Sequence, residues 1–232
     1  AVQERRDVAG KSILILVGPG NNGGDGLVAG RYLAEAGADV AFYLYKPRDP
    51  AADDNFARIQ EMGLMALTAE FDQRYRVLRT RLSITDVLID ALLGTGVSRP
   101  ISGGLAGLFK QVRAGLESTP QGAARPFITA VDCPSGLHCD NGALDPLAIP
   151  ADLTVTFAGA KRGHFLFPGA GAVGELVVAD IGIDPALPAV RAVTSEVADP
   201  AVMRDRLPTR ALDGHNGSFG KLLIAGGCAA DR

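Results

Sequence analysis

This chain has few cysteines, few histidines and no apolar run long enough to cross a bilayer. Three cysteines among 232 residues cannot all pair. Cys133 and Cys139 have no matching second pair, so neither a disulfide framework nor a zinc site is supported, and reduced thiols of a cytoplasmic protein are expected. His138, His164 and His215 are too scattered to make a ligand set and are read as structural. The apolar runs fall short of the roughly 18 to 20 residues of a membrane helix, and the opening Ala-Val-Gln-Glu-Arg-Arg-Asp is not a signal peptide. A soluble protein with no membrane partner is the expectation. Positive charge is also in deficit, with 23 Lys and Arg against 26 Asp and Glu and a net charge of -3. That balance offers no basic patch for nucleic acid and favours a small-molecule partner.

What is present is apolar residues, at 47%, and glycine, at 29 residues. The apolar share supplies ample core for one large α/β domain, or one domain plus part of another. The most informative stretch is Ser12-Ile-Leu-Ile-Leu-Val-Gly-Pro-Gly-Asn-Asn-Gly-Gly-Asp-Gly26, where a β-rich apolar run breaks into glycines and asparagines before helical spacing resumes at Leu27. It reads as a strand buried on both faces, a polar loop and a helix start. The glycines would let backbone amides approach a ligand, and the helix N-terminus would turn N–H groups and partial positive charge toward it.

Read literally, Gly18 to Gly23 satisfies the dinucleotide fingerprint G-x-G-x-x-G. The acid that such a site needs at the end of the second strand is missing, since that strand runs into Lys46-Pro47. No Gly-Lys-Ser/Thr follows the glycines, which excludes a P-loop. A tight strand-to-helix turn with Asp25 as N-cap is the alternative reading of the loop alone.

Apolar runs alternate with helical stretches almost throughout, which predicts an α/β, Rossmann-like, doubly wound and mainly parallel sheet with helices on both faces. Strands are expected at 13–17, 40–45, 64–67, 87–90, 127–131, 153–157 and 175–180, and helices at 27–36, 53–62, 72–80 and 105–116. Prolines accumulate between 183 and 208, giving a division into a domain at 1–184, a linker at 185–209 and the start of a second domain at 210–232.

Ligands of such sheets sit outside the carboxyl ends of the strands. That rule selects four loops, namely Asn21 to Asp25, Gly94-Thr-Gly-Val-Ser-Arg-Pro100 after Asp90, Asp132-Cys-Pro-Ser-Gly136, and Phe157-Ala-Gly-Ala-Lys-Arg162. Asp90 and Asp132 both end strands, and a cation between them would relieve their repulsion. Asn22 carbonyl, Asp90 carboxylate and Ser135 hydroxyl are hard oxygen ligands suited to an alkali or alkaline-earth ion. Asp90 reads equally as a structural strand-end carboxylate. Lys161 follows an apolar strand, which suits a partly desolvated amine able to move protons, although an exposed loop lysine is the commoner case. Arg99 is either a phosphate clamp or a solvated loop residue.

With all four loops in view, the chain resembles NAD(P)H-hydrate epimerase, in particular the N-terminal half of the bacterial bifunctional NAD(P)H-hydrate repair enzymes. The match runs from about Gly10 to Asp184 and rests on Gly-Pro-Gly-Asn-Asn-Gly-Gly-Asp-Gly followed by Asp-Cys-Pro-Ser-Gly. The tail from about Arg210 resembles the start of the ribokinase-like, ADP-dependent dehydratase domain.

The resemblance implies interconversion of the R and S forms of NADH and NADPH hydrated at C6 of the reduced ring. It implies that Asn21, Asn22, Gly23, Gly24 and Asp25 contact the hydrated dinucleotide, and that Gly94, Thr95, Gly96, Val97, Ser98, Arg99 and Pro100 wrap its phosphates. Asp132 would meet the reacting end and share acid/base work with Lys161. A potassium ion would sit on Asn22, Asp90 and Ser135, and ADP or ATP would serve only the dehydratase. A homo-oligomer is expected.

Members usually carry about two further helices before the first strand, of which Ala1 to Arg6 resembles only the end of the second. The resemblance also ends before any dehydratase residue, so truncation at both ends and doubtful activity of the isolated chain are expected. Two other readings remain at this point. One is a non-catalytic nucleotide-binding module of the same fold, and the other is a conventional NAD-dependent oxidoreductase, against which Lys46 weighs.

Overall fold

The computed structural model describes residues 1–96, 99–118, 124–198, 200–207 and 223. The seven apolar runs become seven strands, β1 Ser12–Val17, β2 Asp39–Leu44, β3 Met65–Thr68, β4 Val87–Ala91, β5 Phe127–Val131, β6 Leu153–Phe157 and β7 Glu175–Ala179. They pair in parallel in the order β3-β2-β1-β4-β5-β6-β7. The chain winds outward from β1 to β3, then returns to the other side of β1 and winds outward again. Strand order therefore reverses between β1 and β4, and the loops leaving their carboxyl ends diverge to open a crevice.

Among the described residues, five α-helices accompany the sheet, α1 Val2–Arg5, α2 Asn21–Glu35, α3 Asp54–Glu61, α4 Arg76–Leu82 and α5 Gly103–Glu117. Alternate residues of each strand face opposite sides, so two cores form. On one side Leu14, Leu16, Tyr43, Leu88 and Ala130 pack with Leu78, Leu108, Phe109 and Val112. On the other, Ile13, Ile15, Val17, Phe42 and Ile89 pack with Leu27, Leu33, Phe56 and Ile59.

Two helices depart from expectation. α2 begins at Asn21 and not near Leu27, so the glycine-rich stretch is the first turns of the helix itself. Gly20 occupies the N-cap position with φ -92° and ψ -167°, and Asp25 does not cap the helix. Asn-Asn-Gly-Gly-Asp-Gly is a poor helix former, but packing overrides propensity here. A Cβ on Gly26 would lie 2.5 Å from Ala91 Cβ, and one on Gly30 would lie 2.4 Å from the Phe42 ring. Only glycine lets α2 press this closely on β4 and β2.

The helix expected at 72–80 is broken near its start, because Arg74 (φ 55°) and Tyr75 (φ 56°) adopt left-handed backbone. Asp72 explains the break. Its buried carboxylate accepts the Val77 and Leu78 amides at 3.0 and 2.9 Å and the Tyr43 hydroxyl at 3.2 Å, capping α4 across the kink.

Residues Ala1–Ile183 form one compact unit and Asp184–Arg232 another. Within the span read as a linker, the second unit carries α6 Pro188–Arg191 and α7 Pro200–Arg206. Each begins on a proline, whose fixed φ suits the first helical position. The expected start of a second domain at 210–232 lies outside the described residues except for Leu223. No helix among the described residues is long and apolar enough to cross a membrane.

Candidate active site

The crevice between β1 and β4 is a cleft of about 740 Å³. Its walls include Asn21, Asn22 and Asp25 from α2, Gly94, Thr95, Gly96, Arg99 and Pro100 from the loop after β4, and Asp132 after β5. Three segments that are distant in sequence, the start of α2 and two loops, thus meet on one rim. Gly24 lines a neighbouring cleft on the other side of α2, and Gly23 packs against the chain, where a Cβ would lie 2.1 Å from Gly18 O. Val97 and Ser98 lie outside the described residues.

Asp132 stands in left-handed backbone, with φ 66° immediately after β5. Such a conformation in a residue other than glycine costs on the order of 1 kcal/mol or more and is held by its surroundings. Three groups hold it. Oδ1 accepts Lys161 Nζ at 2.5 Å, Thr156 Oγ1 at 2.9 Å and the Phe157 amide at 3.4 Å. Among the described residues every hydrogen bond to this carboxylate falls on Oδ1. Lys161 Nζ also donates to Thr156 Oγ1 at 2.6 Å and to Phe157 O at 3.0 Å. The lysine is therefore neither an exposed loop residue nor an isolated base, because it reaches the cleft only through Asp132. Asp25, on the facing wall, has its carboxyl pushed up by burial and by the Asp132 charge.

Asn22, Asp90 and Ser135 lie together beneath the cleft, around the backbone of Leu93. Asn22 Nδ2 donates to Leu93 O at 2.9 Å, and the Leu93 amide donates to Ser135 Oγ at 2.9 Å. Ser135 Oγ in turn donates to Asp90 Oδ1 at 2.6 Å, while the Ser135 amide binds Asp90 Oδ2 at 2.9 Å. Asp90 is 1% exposed, and burial pushes its carboxyl up against the pull of these bonds. Its partners are all neutral, and no Lys or Arg pairs with it among the described residues. A fully buried carboxylate with oxygen neighbours and no cationic partner among the described residues is a donor set that could hold a hard cation. No group of three or more His, Cys, Asp or Glu gathers among the described residues.

The repulsion expected between Asp90 and Asp132 has another remedy besides an ion. Each carboxylate has its own partners, Ser135 for one and Lys161 for the other.

Three contributors escaped the sequence. Thr156, wholly buried in β6, bridges Asp132 and Lys161. Tyr45, just after β2, lines the cleft. Arg48 holds the glycine segment, its Nη2 donating to Gly18 O at 2.7 Å and Gly20 O at 2.8 Å while Nη1 pairs with Asp53. Burial alone would raise the Asp53 carboxyl, but the Phe56 amide and Arg48 outweigh it and hold the carboxyl low. The only sequence signal for Arg48 was its place after the second strand, where a fingerprint would put an acid.

Cys133 and Cys139 are buried and unpaired to any disulfide. His164 is buried and His138 accepts the Asp140 amide at 3.3 Å, whereas Cys228 and His215 lie outside the described residues.

This arrangement matches a known family. The family described as YjeF-related protein N-terminus matches residues 1–163. The chain belongs to this family. Among its relatives, the NAD(P)H-hydrate epimerase of Clavibacter sepedonicus is 36% identical over 182 residues, covering 78% of this chain and 76% of that protein. The bifunctional NAD(P)H-hydrate repair enzyme Nnr of Thermofilum pendens is 38% identical over 219 residues, 93% of this chain and 39% of its own length. The chain thus spans about two fifths of the bifunctional relatives it matches. In structure it is similar to the yeast protein ynu0, YNL200c, with a TM-score of 0.57, 21% identity and coverage of 75% of this chain and 68% of that one. At that identity the likeness concerns the fold.

Proposed function

We propose that the chain interconverts the R and S forms of hydrated NADH and NADPH. The observation that carries this reading is the divided carboxylate of Asp132, with Oδ1 tied to Lys161 and Thr156 and the residue itself on the cleft wall. Family membership and the names of the relatives point to the same activity.

The dinucleotide lies along the rim. The first N–H groups of α2, at Asn21 and Asn22, have no partner within the helix and suit its phosphates, with the 94–100 loop and Arg99 on the other side. The reduced ring then points to Asp132. If the ring opens, Asp132 Oδ2 takes the proton of the C6 hydroxyl as the C6–N1 bond breaks to the aldehyde and passes it to N1, and reclosure runs the same transfer backwards. If water leaves, the protonated carboxyl gives its proton to the hydroxyl and recovers one from the water that returns to the other face. Lys161 holds Asp132 through Oδ1 and balances its charge throughout, so the same pair serves both directions of a near-symmetrical reaction.

Asn22, Asp90 and Ser135 would hold a potassium ion, which supplies fixed positive charge beneath the phosphate-binding rim. In a longer protein of the bifunctional kind, the unit at 1–184 would feed the S hydrate to an ADP-dependent dehydratase beyond residue 210, with ADP or ATP serving that domain alone.

The test is to add purified protein to the separated S epimer of hydrated NADH and follow appearance of the R epimer by chromatography. Exchange above the spontaneous rate is expected, falling by about 100-fold or more in Asp132→Asn with the circular dichroism unchanged. Binding of hydrated NADH without exchange would instead assign a nucleotide-binding module.

A further inference from the structure

Behind Asp132 lies a buried group that touches no substrate in the proposed reaction. His164 is 3% exposed and belongs to the 3-10 turn Arg162–Phe165, just after Lys161. Its Nδ1 accepts the Lys161 backbone N–H at 3.2 Å, and its own backbone N–H donates to Lys161 O at 3.0 Å. One residue thus grips both main-chain polar groups of the lysine. A neutral imidazole that accepts at Nδ1 carries its proton on Nε2, which is buried without a hydrogen bond of ordinary length, while the ring faces the backbone of Asp132.

The turn is itself fixed to the loop that follows Asp132. The Gly163 amide donates to Cys139 O at 2.6 Å, and a Cβ on Gly163 would lie 2.4 Å from His138 O. Lysine has more rotamer freedom to lose than almost any other side chain. Anchoring its backbone at both polar groups is what lets Nζ meet three acceptors at once.

We infer that His164 is the positioning residue that holds Lys161 against Asp132, an inference that rests on the reading of these two as the acid/base pair. The ring must stay neutral to accept from Lys161. Burial and the Lys161 charge lower its pKa below the ordinary value, while Asp132 pulls the other way. The charged or titratable groups facing the ring are Lys161 and Asp132, and those facing the lysine are Asp132, His164 and Cys139.

The experiment compares the full chain with His164→Leu and His164→Asn, whose side-chain oxygen takes the place of Nδ1. Two readouts are used, the kcat and KM of R/S exchange and the titration of Lys161 Nζ followed by 15N NMR. His164→Leu is expected to lower kcat on the order of tenfold, leave KM within about twofold and displace the Lys161 titration. His164→Asn is expected to restore both. A folded His164→Leu protein with wild-type kcat and wild-type Lys161 titration overturns the inference, as does a displaced titration that Asn fails to restore. If the wild type shows no exchange, the functional reading falls, and the Lys161 titration alone decides the role of His164. Should His164→Leu not fold, His164→Gln replaces it with the same expectation, because its oxygen lies nearer the place of Nε2.

Discussion

A carboxylate relays protons well when one oxygen is pinned and the other is left for the substrate, and Asp132 has its hydrogen bonds among the described residues on Oδ1 alone. Its neighbour Asp90 shows the opposite treatment, a carboxylate sunk beneath the rim with only neutral donors around it. Burial raises its pKa in the folded chain above the ordinary 3.8. The folded state therefore holds that proton more readily than the unfolded state, and the stability involved is present at low pH and lost as pH rises through the folded value. An ion on Asn22, Asp90 and Ser135 would offset that loss. Replacing tetramethylammonium by potassium is accordingly expected to raise the melting temperature more at about pH 8 than at about pH 5, and the difference should disappear in Asp90→Asn. A potassium gain equal at both pH values would remove the cation from Asp90.

At the scale of elements, α2 governs the site. Its sequence argues against a helix until Gly26 and Gly30, and the reason it forms one is contact with Ala91 and Phe42, which no local pattern reveals. The glycine run was therefore legible as a segment at the rim of the sheet but not as a helix. Arg48 was illegible for a similar reason, since its partners, Gly18 O and Gly20 O, lie about thirty residues earlier in the chain. It makes charge-assisted bonds worth about 1.5 to 3 kcal/mol each in favourable settings. Arg48→Met is expected to cost about 2 kcal/mol in urea unfolding and to raise KM for hydrated NADH several-fold with kcat nearly unchanged, because it loosens the turn proposed to face the phosphates and leaves Asp132 alone. A lowered kcat at constant KM would place Arg48 in the chemistry instead.

At the scale of the whole molecule, the parallel sheet was the most legible feature. Apolar runs in parallel sheets are buried on both faces and stand out without any knowledge of their neighbours. The rule that ligands gather at the carboxyl ends of strands then picked out Asn21, Asn22, Asp25, Asp90 and Asp132 before their separations were known. What that rule could not supply was the division of labour among them. Lys161 stands behind Asp132 and not on the cleft, Thr156 bridges the two, and Gly23 sits where a Cβ would strike Gly18 O. Each of these depends on side-chain geometry across strands, to which sequence spacing is blind.

In the proposed reading one rim, assembled at the reversal of strand order, orients a hydrated dinucleotide with its damaged ring at Asp132. A crystal structure of the Asp132→Asn protein soaked with hydrated NADH in potassium tests it most directly. The account predicts the hydroxylated ring within hydrogen-bond distance of residue 132 and the phosphates against the start of α2. A ring lodged instead in the cleft beside Arg48 and Asp53, away from residue 132, would contradict it.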